Sequence, residues 1–179
     1  MGGNTSKKAG NNTKNAVKTK PAERLHNLDG VRQVLLVHHS KTKAQKDAVL
    51  HFRDCLIQAA PGSIKVVKTV NVADQTYELQ DVSWLDALNN VILIRLNPED
   101  ISSLANVVRQ KGYLDDNNYL HGRVIAVAFG KSLPTGWPPN GAKRENLDLK
   151  DFCLGLENEE DEFEDSKLSS LVSAIMASQ

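Results

Sequence analysis

The distribution of apolar residues constrains the fold of this chain most: four short, continuous apolar runs alternate with segments of helical spacing. The runs cover residues 32–38, 64–70, 91–96 and 123–129. Runs of this length are typical of strands that are buried on both faces of a sheet. Because strands and helices alternate, the sequence predicts an α/β domain with a mostly parallel sheet and helices on both faces. A weaker run at residues 147–149 is expected to add a fifth strand.

The segments between the first three runs carry helix signals. Thr42 and Gln45 have the spacing of a capping box, and Pro61-Gly62 ends the helix that follows them. A weaker helix is expected over residues 77–88. The residues expected on the buried side of the first helix are Ala44, Ala48, Phe52, Cys55, Leu56 and Ala59.

The helix after the third run has the clearest start signal. Asn97 is predicted to cap it, Pro98 suits its first turn, and Glu99 and Asp100 lie at the positive end of its dipole. Gly112 is predicted to end it. Together with the five strands, these helices predict a doubly wound, three-layer sandwich.

Charge is unevenly distributed along the chain, although the formal net charge is zero. Residues 1–28 form a basic tail that is expected to be disordered, because it holds almost no apolar residue that could be buried. Residues 29–156 are assigned to the α/β domain. An acidic linker is predicted at residues 157–165, and an amphipathic helix over residues 166–179 is expected to pack on the domain.

The start of the tail fits the pattern for N-myristoylation. Gly2 becomes N-terminal once Met1 is removed, and Ser6 follows four residues later. One myristoyl chain holds a protein at a membrane only marginally, so a second signal is needed. Five lysines can supply that signal by binding an anionic leaflet: Lys7, Lys8, Lys14, Lys18 and Lys20. We therefore expect the protein at the cytoplasmic face of a membrane, the plasma membrane above all, with a cytosolic pool.

The composition of the tail also allows two alternatives to a lipid anchor. The tail can be an ordinary flexible segment that happens to begin with Met-Gly. It can also be a basic arm for nucleic acid, but residues 1–20 contain no arginine and no aromatic residue, so nucleic acid is not an expected partner.

Cysteine use and hydropathy favour a cytosolic protein. Cys55 and Cys153 lie far apart and lack the spacing of a metal site, which is typical of a reducing compartment. The first apolar run includes Val34, so no signal peptide is expected before it. No apolar run approaches the roughly 20 residues that span a bilayer.

The loop after the first strand is the place where a cofactor phosphate is most plausible. Ser40, Thr42 and Lys43 lie at the N-terminus of the first helix, where hydroxyl and amino groups can hold a phosphate. This loop resembles the phosphate loop of flavodoxins, although Lys43 stands where that loop usually carries glycine. A capped helix with a solvated basic turn is the favoured interpretation, so no cofactor is expected. A flavodoxin-like protein that binds FMN or another phosphorylated ligand is the alternative.

No metal site is predicted. His38 and His39 are adjacent and should point to opposite faces at the end of a strand, so one is expected to be packed and the other solvated. No Cys, Asp or Glu nearby in the sequence completes a ligand set. His51 is expected at the surface of the first helix, and Cys55 in the core.

Short patterns along the α/β domain are similar to those of one known family. Residues 32–40 combine a basic residue, an apolar strand and a terminal Ser40, and Trp84-Leu85 precedes the third strand. These patterns resemble SEFIR domains, relatives of the TIR domains found in interleukin receptor tails and their adaptors, although His39 stands where the family usually has tyrosine. The resemblance covers about residues 31–150 and extends to Val49, Phe52, Leu56 and Leu133-Pro134.

The resemblance implies association between domains rather than catalysis. TIR domains that cleave NAD carry a glutamate on the helix after the third strand, whereas residues 102–110 contain no acid. The Arg-Asp-x-x-Pro-Gly loop of TIR domains is also missing, and residues 71–78 occupy its place. We therefore expect a myristoylated, non-catalytic adaptor of innate immune signalling that binds other SEFIR/TIR-like domains or receptor tails. Its interface is expected at loops 39–43, 71–78 and 130–142, with weak self-association.

Overall fold

The computed structural model describes residues 30–74, 76–130, 137–138, 153–154 and 163–178. The chain divides between Val31 and Arg32, and the α/β domain begins at Arg32. Its elements, in chain order, are β1 (Arg32–His38), α1 (Lys43–Ala59), β2 (Ile64–Asn71), α2 (Val82–Leu85), β3 (Asn90–Arg95), α3 (Asp100–Lys111), β4 (Val124–Phe129), β5 (Cys153–Leu154) and α4 (Asp165–Ala177).

The sheet is parallel and has the strand order β2-β1-β3-β4-β5. Four of its strands contain six to eight residues, while β5 contains two. The predicted α/β class with a parallel sheet is therefore confirmed. The fifth strand predicted at residues 147–149 lies outside the described residues.

Successive residues of the strands enter two separate apolar cores. In β1, Val34 and Leu36 belong to the core that contains residues of α1 and α4, whereas Leu35 and Val37 belong to the core that contains residues of α3. This alternation follows from the period of two along a strand. It explains why the central residues of β1 and β3 and all of β4 are apolar: both faces of each strand are covered.

Two of the predicted helices begin differently in the structure. The weak helix predicted over residues 77–88 is wrong in extent, because only Val82–Leu85 is helical and Asp81 caps it through the backbone N–H of Ser83. The predicted cap at Asn97 is also wrong. α3 begins after Glu99, which makes no side-chain cap bond, and the Asp100 carboxylate instead accepts from backbone groups before the helix.

Other helix boundaries agree with the sequence. The capping box of Thr42 and Gln45 is present, and Gly112 ends α3 with a left-handed φ of 71°. In α1 the buried residues are Val49, Phe52 and Leu56, whereas Ala44 and Ala59 are exposed because they lie at its two ends. The predicted tail and residues 157–162 of the acidic linker lie outside the described residues. Within the described part of the chain, no helix has the length and hydropathy needed to cross a membrane.

Candidate functional site

The carboxyl ends of β1, β2 and β3 meet at one edge of the sheet, and the order of the strands reverses there. From β1 the chain goes to β2 on one side and then to β3 on the other. In open α/β sheets this place is where ligands bind, because the loops on either side of it diverge. The polar residues gathered there are His38, His39, Ser40, Asn71 and Asp100.

Asn71 joins the loop after β1 to the loop after β2. Its side-chain amide donates to the carbonyl oxygen of Ser40, and its Oδ1 accepts from the backbone N–H of Ser40, both at 2.9 Å. The same Oδ1 also accepts from the N–H of Ala73 at 3.1 Å. One side chain therefore fixes both loops, and the bond from Val72 N–H to the His38 carbonyl at 2.8 Å adds to this link.

His38 and Ser40 form a buried pair. The His38 Nδ1 lies 2.6 Å from the Ser40 hydroxyl, and the two residues are only 4% and 1% exposed. Burial lowers the pKa of His38 to about 4, because a charged imidazole would lose its hydration; Asp74 opposes this shift, while His39 and Lys46 add to it. At neutral pH the imidazole is therefore uncharged.

His39 and Asp100 form a second pair across the point where the strand order reverses. The His39 Nδ1 lies 3.2 Å from the Asp100 Oδ1, while Oδ2 accepts from the backbone N–H groups of Leu96 and Asn97, both at 2.9 Å. Asp100 is 1% exposed, and the His39 side chain is 12% exposed. The prediction that one histidine is packed agrees with His38, whereas His39, expected to be solvated, is largely covered beside its carboxylate partner.

The residues predicted to hold a phosphate already have partners in α1 and at the end of β2. The N–H of Ser40 donates to Asn71, and those of Lys41 and Thr42 donate to the Gln45 Oε1 at 2.7 and 3.2 Å. The Thr42 hydroxyl accepts from the Gln45 N–H at 3.2 Å. Lys43 points outward and pairs with Asp47 at 2.6 Å. The N–H groups of residues 40–42 thus already donate to the chain's own acceptors.

The geometry separates the groups that a catalytic relay would need to combine. The Ser40 hydroxyl contacts His38, whereas the Asp100 carboxylate contacts His39. A hydrolytic relay needs one histidine that contacts both the hydroxyl and the carboxylate. Of these two groups, His38 contacts the hydroxyl and His39 contacts the carboxylate. Among the described residues, no three His, Cys, Asp or Glu side chains are placed to hold a metal ion.

A polar groove of about 300 Å³ lies beside this site, at the end of β2. Asn71 contributes to its wall, so the groove adjoins the fixed loops. The other lining residues are Lys68, Thr69, Val70, Asp74, Thr76, Tyr77 and Glu78.

The sequence indicates Ser40, Thr42 and Lys43 as candidate site residues. It indicates Asn71 only as a loop residue and Asp100 only as a residue at a helix start. Asp100 carries one usable signal, since an Asp three residues after Asn97 can reach back to the N–H groups before a helix. The predicted lipidation residue Gly2 and the predicted membrane-binding lysines Lys7, Lys8, Lys14, Lys18 and Lys20 lie outside the described residues.

Comparison of the chain with protein-family models, with curated proteins and with solved structures finds no significant match.

Proposed function

We propose that this chain is a non-catalytic signalling adaptor, held at the cytoplasmic face of a membrane by its N-terminal tail, whose α/β domain associates with similar domains. The observation that carries the proposal is the bridge made by Asn71 between loops 39–43 and 71–78. These are two of the three loops at which the sequence predicts the interface. Because they are held in place before binding, less conformational freedom is lost on association.

The charges on the two joined loops suit association between copies of the domain. Lys41 and Lys43 are exposed on one loop, and Asp74 and Glu78 are exposed on the other. A surface with adjacent basic and acidic loops can pair with a second copy so that unlike charges meet. Anchoring to a membrane would raise the effective concentration of such a weakly binding surface.

The strand order supports the finer architecture that we propose. The order β2-β1-β3-β4-β5 is the flavodoxin-like one. It agrees with a five-stranded, three-layer sandwich of the flavodoxin-like or TIR-like kind, with residues 29–156 as its body. The third expected interface loop, residues 130–142, is described only at Gly130, Trp137 and Pro138.

A flavodoxin-like protein that binds FMN or another phosphorylated ligand is the second candidate, and the same strand order favours it. The saturated N–H groups of residues 40–42 weigh against it. Absorbance and mass spectrometry of the purified, then denatured protein decide between the two. We expect no released flavin or nucleotide, and a stoichiometric amount of either would replace the adaptor proposal.

The anchor is tested by intact mass and membrane fractionation of the protein made in eukaryotic cells. We expect the wild type to carry one myristoyl group and to pellet with membranes, because Gly2 and the lysines act together. Gly2→Ala should be unmodified and remain in the supernatant. If the wild type is also unmodified and soluble, the anchor is rejected.

Association is tested by energy transfer between labelled copies of the domain tethered to vesicles. Lys41→Glu and Asp74→Lys should each weaken the transfer, and the variant with both changes should recover it, because unlike charges would meet again. Lys65→Glu is the matched control, since Lys65 is an exposed lysine near the opposite end of β2. No transfer in the wild type, or equal transfer in all four variants, contradicts the proposed interface.

A further inference from the structure

A second groove, of about 380 Å³, lies on the other side of the domain, between α1 and the start of α4. Its apolar wall includes Phe163 and Leu168, and its rim carries Gln58, Asp165 and Ser169. Cys55 and Ala59 of α1 complete the lining. The groove therefore combines apolar and polar lining in comparable parts, with one carboxylate at its mouth.

An imidazole lies beside the thiol that opens into this groove. The Cys55 Sγ is 3.7 Å from Nε2 and 3.9 Å from Nδ1 of His51, one helical turn earlier in α1. Cys55 is half-buried, and its inner side packs against the apolar core of α1 and α4. A half-buried thiol with an adjacent imidazole and an opening to solvent differs from a fully buried, inert core cysteine.

The orientation of the imidazole is set by Phe163. The rings of His51 and Phe163 stack with their centroids 5.4 Å apart and their planes 24° apart. Phe163 in turn contacts Phe52 and Phe129 in the core, at centroid distances of 5.7 and 5.2 Å. The base is thus held over the thiol by an aromatic cluster that belongs to the folded core.

We propose that Cys55 is a site of covalent modification by small, uncharged, apolar electrophiles of the α,β-unsaturated carbonyl class. His51 takes the thiol proton, and the thiolate sulfur forms a bond to the β-carbon. The π electrons move to the α-carbon, which receives a proton from the imidazolium or from water. The step is an addition without a leaving group, so it needs no oxidant or reductant.

The lining of the groove determines which reagents are preferred. Phe163, Leu168 and Ala59 provide apolar contact for the carbon part of the electrophile. Asp165 disfavours an anionic reagent by charge repulsion at the rim. Cys55 should therefore discriminate between reagents of equal intrinsic reactivity that differ in charge.

The test uses the full chain with Cys153→Ser, so that Cys55 is the reacting thiol, and two matched maleimides. N-phenylmaleimide is neutral and apolar, while N-(2-carboxyethyl)maleimide is anionic. Mass gain is followed over time, with glutathione as the reference thiol. Cys55 should react with N-phenylmaleimide about tenfold faster than glutathione does at neutral pH, and His51→Gln should remove most of that advantage.

A second variant tests the groove without touching the thiol or the base. Asp165 is exposed at the beginning of α4, so Asp165→Asn should leave the fold intact and raise the rate with the anionic maleimide several-fold relative to the neutral one. The proposal is overturned if Cys55 reacts no faster than glutathione, if His51→Gln leaves the rate unchanged, or if Asp165→Asn leaves the ratio of the two rates unchanged.

Discussion

The two ends of the parallel strands differ in the backbone groups that need hydrogen-bond partners. We call the end where the strands finish the carboxyl edge and the end where they begin the amino edge. At the carboxyl edge, side-chain oxygens of Gln45, Asn71 and Asp100 accept bonds from backbone N–H groups. At the amino edge, side-chain nitrogens donate to backbone carbonyl oxygens. Arg32 donates to the carbonyls of Met176 and Ser178, at 3.1 and 3.3 Å.

Further residues follow the same pattern at the amino edge. Arg123 donates to the carbonyl of Leu85 at 2.6 Å, at the end of α2. Asn90, which is fully buried, donates to the carbonyl of Arg123 at 3.3 Å and also to the hydroxyl of Ser178 at 2.8 Å, just after α4.

The difference follows from the direction of the helices. In a parallel α/β fold each strand leads into a helix N-terminus at the carboxyl edge, where the first N–H groups lack intrahelical partners. Each helix C-terminus lies at the amino edge, where the last carbonyls lack partners. The carboxyl edge therefore attracts anions. In this chain Gln45, Asn71 and Asp100 provide acceptors for N–H groups of the loop residues just before α1 and α3. This is why we favour an interaction surface over a phosphate site there.

The largest effect is expected at Asp100. Asp100→Ala removes a buried carboxylate and leaves the partly buried N–H groups of Leu96 and Asn97 without acceptors, so the free energy of unfolding should fall by about 3 kcal/mol in urea denaturation. Asp115→Ala is the matched control, because the exposed Asp115 also accepts from two backbone N–H groups, those of Asn117 and Tyr119. Asp115→Ala should lower the free energy of unfolding by less than about 1 kcal/mol. Equal losses in the two variants would show that burial does not strengthen the acceptors of the carboxyl edge.

The next effect is a dependence of stability on pH that arises at the carboxyl edge. The pKa of His38 is about 4 in the folded protein against 6.5 ordinarily, so between these values the unfolded chain binds the proton more readily. The free energy of unfolding should therefore fall as the pH decreases through this window, by at most about 3 kcal/mol from His38 alone.

His38→Asn isolates this contribution, because carboxylates titrate equally in both proteins. Urea denaturation of wild type and variant at neutral pH and near pH 4.5 gives the difference. The stability of the variant should change less over this range than that of the wild type. Parallel pH profiles of the two proteins would mean that His38 does not titrate in this window.

The amino edge should show a smaller loss. Arg32→Met removes the donors to Met176 and Ser178 but keeps most of the apolar stem, so we expect a loss of about 2 kcal/mol and faster hydrogen exchange in α4. Arg109→Met is the control, since Arg109 is exposed and bonds only to Asn106 of its own helix in the described structure. If hydrogen exchange in α4 is unaffected by Arg32→Met, the arginine does not hold the helix end.

The parts of the fold that follow from local pattern are predictable from the sequence. β1 runs over Arg32–His38 as expected, and α1 begins at its capping box, because both depend on residues that are close in sequence. The weak helix predicted after β2 is too long, because its apolar residues Tyr77 and Leu79 pack against the core of α3 from chain without regular secondary structure.

The candidate site is harder to predict, because its partners are distant in sequence. Asn71 lies 31 residues from Ser40, and Asp100 lies 61 residues from His39. No local pattern joins them; they meet because β1 lies between β2 and β3. The hydroxyls and lysines of the loop after β1 are visible in the sequence, and the capping box already indicates Gln45 as an acceptor. Asn71, the acceptor for the Ser40 N–H, becomes apparent only from the sheet order.

The smallest effect is expected at Gln45, the acceptor beside the start of α1. Gln45→Met removes the acceptor for the N–H groups of Lys41 and Thr42 at the partly exposed start of α1, and should cost about 1 kcal/mol. Gln110→Met, on the exposed surface of α3, should change stability little. Because the change leaves two N–H groups at a helix N-terminus, inorganic phosphate should raise the melting temperature of Gln45→Met more than that of wild type. An equal shift in both proteins would mean that the carboxyl edge is not closed to anions by its own side chains.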